Sequence, residues 1–568
     1  MKSKYLFFFL FSLFTFSAFS QNAATTPTGD SKAAKDNFTF LNYKDALIEY
    51  QAFFLKDSTN PEYIYKLGVC YLQTKKDINN ALRLLLKASK DSKLDPVVWY
   101  YLGQAYQQLL KYNEAIEAFT KYKNDPKSKD DQAYTAKRQI EMCKNAIELL
   151  KKPVNVSFEN LGKEVNSEAP DFNPYITPDE SQLVYTSRRD KNTGRTPDYD
   201  GHFTADVYMI TPKNGQFVKT RNMGGLINTE LVEEVVGVGG NGDFLYLYYD
   251  NYQGLGDLFF SAKKGKSYTK SAPLASINSK DMETAASSNQ NNTMIVFSSD
   301  QQGGKGETDL WLSRILPNGE WGPAENISEI NTEEDESFPS FSPDGKTLYF
   351  ASSGHNSMGG YDIFKTAYND STKKWAKPIN LGYPINNSDD NTVISFAKNP
   401  RYAYIAACRP EGIGYSDIYR ITFNDLPPSY TLVQGNVILP DSTNLYTSGN
   451  FIPPSPPVAA PVVSPKSKSK TAPKVAEVKP VETPKIDVVI NVQKKSDKTP
   501  IGIYRPNPRT GKYMMNLPTG EYVVILSGNG LQTCTDEIII PEKDLYKENI
   551  NKPLIIRKLE VVEPTETQ

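Results

Sequence analysis

Five copies of one short pattern, almost evenly spaced, constrain this 568-residue chain more than any other feature. Asp206-Val207-Tyr208, Asp257-Leu258-Phe259, Asp309-Leu310-Trp311, Asp362-Ile363-Phe364 and Asp417-Ile418-Tyr419 set their Asp residues 51, 52, 53 and 55 positions apart. A second marker runs in phase ahead of each Asp: Val165-Asn166-Ser167, Ile227-Asn228-Thr229, Ile277-Asn278-Ser279, Ile330-Asn331-Thr332 and Ile385-Asn386-Asn387. A period near 50 that holds several short apolar strands describes one blade of a β-propeller, a unit that cannot bury both faces of its own sheet. Five copies predict a five-bladed β-propeller, with a sixth, degenerate blade left open. Val154-Asn155-Val156-Ser157-Phe158 reads as an outer strand without its blade, and the last repeat, ending near Phe423, lacks such a strand. The two gaps predict that the N-terminal strand completes the final blade and leaves no free sheet edge. Identical placement in every repeat assigns the five Asp residues a structural role, accepting backbone hydrogen bonds at a strand start, because a catalytic site needs asymmetry.

The period and strand pattern over roughly residues 154–425 resemble the WD-like repeats of TolB-type propellers. Such propellers also front serine peptidases, but the chain contains no Gly-x-Ser-x-Gly elbow, and the peptidase reading falls there. The loop from Arg188-Arg189-Asp190-Lys191 through His202 lengthens the first blade and is a candidate contact surface.

Ahead of the propeller, residues 42–153 read as helical. Leu67-Gly68 and Tyr71 recur as Leu102-Gly103 and Tyr106, an offset of 35. With Trp99, Ala115 and Phe119 the second copy matches the tetratricopeptide pattern, in which Gly lets paired helices approach and the aromatic side chains, Trp99 among them, fill the space between. A half-repeat with Ala46 and Tyr50 and a closing helix from about Gln132 to Leu150 extend the stack. These repeats resemble peptide-binding scaffolds whose first helices line a concave groove. By position Tyr65, Tyr100, Gln104 and Gln107 would face that groove, the plainer alternative being solvent-side residues of a spacer.

A third module starts with a strand at residues 430–437 and resumes with one at 486–492, so that 428–449 and 486–560 form a β-sandwich interrupted by a proline-rich insert at 450–485, an extended basic tether. Thr510-Gly511-Lys512-Tyr513 followed by Leu517-Pro518-Thr519-Gly520-Glu521-Tyr522 resembles the regulatory-like domain of carboxypeptidases, a prealbumin-like sandwich without a catalytic group. Tyr513 and Tyr522 read as core or strand-pairing residues.

At the N-terminus Lys2 and Lys4 precede an apolar run to Phe16 and the small residues of Ala18-Phe19-Ser20. This reads as a secretory signal over 1–20 cleaved near Ser20-Gln21, too short to span a bilayer, with a flexible segment over 21–41. The net charge of -2 gives no field for nucleic acid, and 2 histidines with 4 scattered cysteines supply neither a metal centre nor a disulfide framework. No catalytic, metal or cofactor-binding residue is assigned. The module order resembles a family of Bacteroidetes envelope proteins similar in role to an accessory component of type IX secretion and gliding machinery. Members usually end in an OmpA-like peptidoglycan-binding domain. That domain and a lipid-attachment Cys are missing, so peptidoglycan anchoring is not carried over. The resemblance implies a non-enzymatic periplasmic scaffold, peripheral to the outer membrane, whose partners are envelope proteins, an outer-membrane complex among them. A glycan-binding protein and a hydrolase with an unrecognised propeller site are the alternatives.

Overall fold

The structure is a computed structural model, and the described residues are 30–212, 217–240, 242–250, 256–426, 430–447, 486–541 and 549–559, without the side chains of 130–134. The expected leader at 1–20 and the proline-rich insert at 450–485 lie outside them. Two compact units divide the chain, one ending at Asp425 and the other beginning at Leu426.

The first unit opens with seven helices: α1 Ser31–Thr39, α2 Tyr43–Lys56, α3 Pro61–Gln73, α4 Ile78–Ala88, α5 Val97–Gln108, α6 Tyr112–Lys123 and α7 Asp130–Leu149. Asp30, Asn42, Asn60 and Asp77 cap the first four through their side-chain oxygens, satisfying amides that a helix start leaves unpaired. Of the segment expected to be flexible over 21–41, residues 30–41 are described, and the expectation is corrected there by α1, which buries Ala34 and sets Phe38 edge-on to Tyr43 and Tyr50. The paired glycines do what the repeat pattern predicts. A Cβ at Gly103 would lie 2.6 Å from the Phe119 ring, and one at Gly68 would lie 3.0 Å from Leu85 Cγ. Trp99, expected in the core, is only half-buried, with Lys121 Nζ 4.3 Å from its ring centroid, and it lines a shallow hollow between α4, α5 and α6. No helix among the described residues is long and apolar enough to cross a membrane.

Five antiparallel ladders follow, each with four main strands. Ladder 1 holds Asp171–Ile176, Leu183–Ser187, Asp206–Ile210 and Thr220–Asn222; ladder 2 holds Val232–Gly239, Phe244–Asp250, Asp257–Lys264 and Ala272–Pro273. Ladder 3 holds Glu283–Ser288, Met294–Ser299, Asp309–Arg314 and Glu325–Asn326; ladder 4 holds Glu336–Phe341, Thr347–Ser352, Asp362–Asn369 and Ile379–Asn380. Ladder 5 holds Ile394–Phe396, Tyr402–Ala407 and Asp417–Phe423, and its outer strand is Val156–Asn160, paired from Val156 with Phe423 to Asn160 with Tyr419. The complementary gaps are thus joined. Five apolar clusters sit between neighbours in turn: Val207 with Val235, Leu258 with Phe297, Val296 with Phe350, Ile363 with Ile405, and Tyr404 with Ile176. The last joins ladder 5 to ladder 1, so the packing is cyclic. Phe338 of ladder 4 packs against the clusters of ladders 1–2 and 2–3, which places its ring across the axis.

The repeated markers carry this architecture. Asp206, Asp309, Asp362 and Asp417 accept backbone amides from the loop before their strand, at Thr193, at Lys305 and Gly306, at Met358 and Gly359, and at Ile413 and Gly414. Each in-phase Asn lays its amide along the residue after the Asp of the preceding ladder. Asn228 donates to the carbonyl of Val207 and accepts its N–H, both at 2.9 Å, and Asn278, Asn331 and Asn386 do the same to Leu258, Leu310 and Ile363. Asn166 makes this pair with Ile418 across the closure.

In the second unit, Thr431–Ile438 lies between Lys512–Leu517 and the parallel Asn549–Asn551, while Pro500–Tyr504, Val488–Lys494, Gly520–Gly528 and Cys534–Ile540 form another sheet. Val433, Ile490, Tyr513, Tyr522 and Val524 share one apolar cluster between them. Both tyrosines are buried, and their hydroxyls donate to the Lys552 and Pro518 carbonyls.

Candidate functional site

Within the first unit the helices are seated on the ring, and that junction holds the main polar cavities. Three loops of the ring meet the helices. The loop after the second strand of ladder 4 inserts Met358, fully buried, among Tyr112, Phe119, Cys143 and Ala146 of α6 and α7. Asn145 donates to the Ser357 carbonyl at 2.9 Å, and Arg138 to the Ser353 carbonyl and, at 3.1 Å, to Ser357 Oγ. Between ladders 4 and 5, Asp389 accepts from Lys75 at 2.6 Å and from Gln108 at 2.5 Å. Burial works against the Lys75 ammonium, yet Asp389, then Cys408 and Asp390 beside it, hold its pKa above the ordinary lysine value. In ladder 1, Lys44 donates to the Gly201 carbonyl at 3.1 Å; Gly201 has φ +82 and a Cβ there would meet Asn42 at 2.5 Å, so only glycine fits.

This seating corrects the expected groove. Tyr65 packs beside Phe38 and Tyr101, and Tyr100 packs edge-on to Phe119 and Tyr122. Gln107 is buried and donates to Gln139 and to Cys143 Sγ. Gln104 and Gln107 line an amide-walled cavity of about 360 Å³ whose other wall is the ring at Gly360, Asp389 and Asp390. The groove face and the propeller are therefore one interface.

A larger cavity of about 700 Å³ opens beside it, lined by Lys44, Thr74 and Lys76 from the helices and by Arg188, Lys191, His202 and Tyr415 from the ring. The loop singled out in the sequence forms its floor, and that loop is tied together by its own bonds. Arg188 pairs with Asp198 at 2.9 Å and Asp200 at 2.6 Å, Arg189 pairs with Asp171 at 2.8 Å, and buried Asn192 spans the Ser187 and Thr204 carbonyls. His202 stands edge-on to Tyr415 at 4.5 Å, and burial pushes its pKa down to about 4, so the ring is neutral at pH 7. Among the described residues, Lys76, Lys191, Glu168 and Asp190 have no ion-pair partner, and they give the cavity a mixed-charge rim.

Four carboxylates on the inner strands are held by the fold. Asp171, Glu233, Glu283 and Glu336 each accept the N–H and hydroxyl of the Ser or Thr that follows the marker Asn: Ser167, Thr229, Ser279 and Thr332. Burial raises Glu336 and Asp362 to about 7. No group of three or more metal-ligating side chains occurs among the described residues. Sequence reasoning missed Lys75, Met358 and Asp389; each lies outside the repeated markers and gains its partner only through the docking.

A family model described as anaphase-promoting complex, cyclosome, subunit 3 matches residues 41–122, the span of α2 to α6, and the helical region is tetratricopeptide-like. No curated protein matches the chain. Among solved structures the chain is similar to a putative TolB from Agrobacterium tumefaciens, at 13% identity and TM-score 0.26 over 48% of this chain and 98% of that one. It is similar to a protein of unknown function from Dyadobacter fermentans, at 13% identity and TM-score 0.30 over 44% and 76%. A structure titled glycoside hydrolase gives 10% identity and TM-score 0.33 over 49% and 94%.

Proposed function

We propose that this chain is a non-enzymatic interaction scaffold of the bacterial envelope, working in the periplasm beside the outer membrane, in a machine of the type IX secretion or gliding kind. Its ring is read as a five-bladed propeller and its second unit as a prealbumin-like sandwich. The observation that carries the reading is the use made of the ring's acids: four inner carboxylates bind Ser or Thr, and four of the repeated Asp residues bind loop amides. Phe338 lies across the axis, where a propeller-centre reaction would need room. The helical groove is covered by the ring, so the partner surface is the open cavity at the junction, with Lys76 and Lys191 on its rim.

The test is affinity capture from an envelope extract with the full chain and a Lys76→Glu, Lys191→Glu variant. Both lysines are exposed, so the variant keeps the wild-type melting temperature. The reading expects a subset of captured proteins to be lost. An unchanged set, together with hydrolysis of a peptide or glycan by the purified protein, would replace it with the enzyme reading.

A further inference from the structure

The crevices between ladders follow one plan, and the wall that ladder 2 presents is more aromatic than those of ladders 1 and 3. Three positions of each ladder face the next one: those five and three residues before the partner of the repeated Asp, and the one three residues after that Asp. In ladder 1, where Ser187 pairs with Asp206, they are Gln182, Val184 and Met209; in ladder 3, where Ser299 pairs with Asp309, they are Met294, Val296 and Leu312. The crevices they face are closed by an aromatic ring from the next ladder's outer hairpin, Tyr268 at 4% exposure and Trp375 at 7%. In ladder 2, where Tyr249 pairs with Asp257, the three are Phe244, Tyr246 and Phe260, and the closing ring is Trp321, which is half-buried.

The result is a cavity of about 400 Å³ lined by four aromatic rings. Its inner wall is unusual as well. The inner strands of ladders 2 and 3 touch through one parallel pair, Gly239 with Ser288, and a Cβ on Gly237 would lie 1.6 Å from the Ala286 carbonyl oxygen. The backbones therefore meet at the axis while three bulky rings stand at the outside, and the crevice is left open there. An aromatic face is electrostatically negative, and among the described residues the only charged side chain lining the cavity is Glu320, an exposed carboxylate. Among the described residues no lysine or arginine lines it.

We infer that the crevice between ladders 2 and 3 binds a cationic side chain, the ammonium of lysine or the guanidinium of arginine, presented by a partner protein. Ring quadrupoles and the Glu320 carboxylate favour a cation over a neutral or anionic occupant of the same size. The inference stands on the ring alone and does not depend on what the junction cavity holds.

The experiment titrates the full chain with N-acetyl-lysine N′-methylamide, its arginine counterpart, the norleucine amide as the uncharged control and a methyl glucoside, read by saturation-transfer NMR. The lysine and arginine amides are expected to bind roughly tenfold tighter than norleucine. Trp321→Ala should abolish that binding, Glu320→Gln should weaken it about three- to tenfold, and Trp321→Phe should retain it. The melting temperatures of the Glu320→Gln and Trp321→Phe proteins report on folding independently of binding. Equal binding of norleucine would make the crevice a plain apolar pocket, and binding of the glucoside alone would make it a sugar site. Either result, no binding at all, or binding that survives Trp321→Ala, overturns the inference.

Discussion

Asn386 shows how much one side chain holds in this ring. Its amide satisfies both the N–H and the carbonyl of Ile363, a residue 23 positions earlier, and all three groups are buried. Asn386→Ala leaves two buried backbone groups unpaired, so it should lower stability by about 2–4 kcal/mol in urea unfolding. The in-phase Asn was visible in the sequence, but its role was not, because the partner backbone belongs to the preceding repeat. The Asp was easier, since its amides come from the loop immediately before it. Acids also set a pH dependence. Glu336 and Asp362 sit near 7 in the folded chain, above the usual carboxylate range, so the folded state binds protons more tightly than the unfolded one. The stability they contribute is present below about pH 4 and is lost as pH rises through about 7. Urea midpoints at pH 5 and pH 8.5 should show this fall, and Glu336→Gln should reduce it.

At the scale of elements, the helix pairs are set by glycine spacing. Gly103 faces the rigid Phe119 ring at 2.6 Å, whereas Gly68 faces Leu85 Cγ at 3.0 Å and Leu84 Cβ at 3.2 Å. Gly103→Ala should therefore destabilise by about 1–3 kcal/mol through overpacking, and Gly68→Ala by clearly less. Equal effects in thermal unfolding would contradict the assignment. Both glycines were legible from the Leu-Gly repeat, as were the ladders from their period and the closing strand from the two gaps. Trp99 was misread because the repeat position says which helices it lies between and not how far the neighbours cover it. Helix α1 was missed because its sequence, Ser31 to Thr39, is polar on average and its few apolar side chains find their cover in Tyr43 and Tyr50 of α2.

For the first unit as a whole, the junction joins the helices to the ring. Its contacts connect residues 281 apart, as for Gln108 and Asp389, and 215 apart, as for Arg138 and Ser353, distances over which no sequence period carries information. Tyr65, Tyr100, Gln104 and Gln107 were placed on a groove by their position in the helices, and only the seated ring reveals that the groove is covered. The account rests on this seating, and hydrogen exchange of the full chain measures it directly. The amides of Ser353 to Met358 and of residues 387–391 should exchange slowly in the wild-type protein and quickly in a Lys75→Glu variant, while those of Ile363 and Ile418 stay protected in both. Rapid exchange of the two loops in the wild-type chain would mean that the helices do not rest on the ring, and would contradict the account.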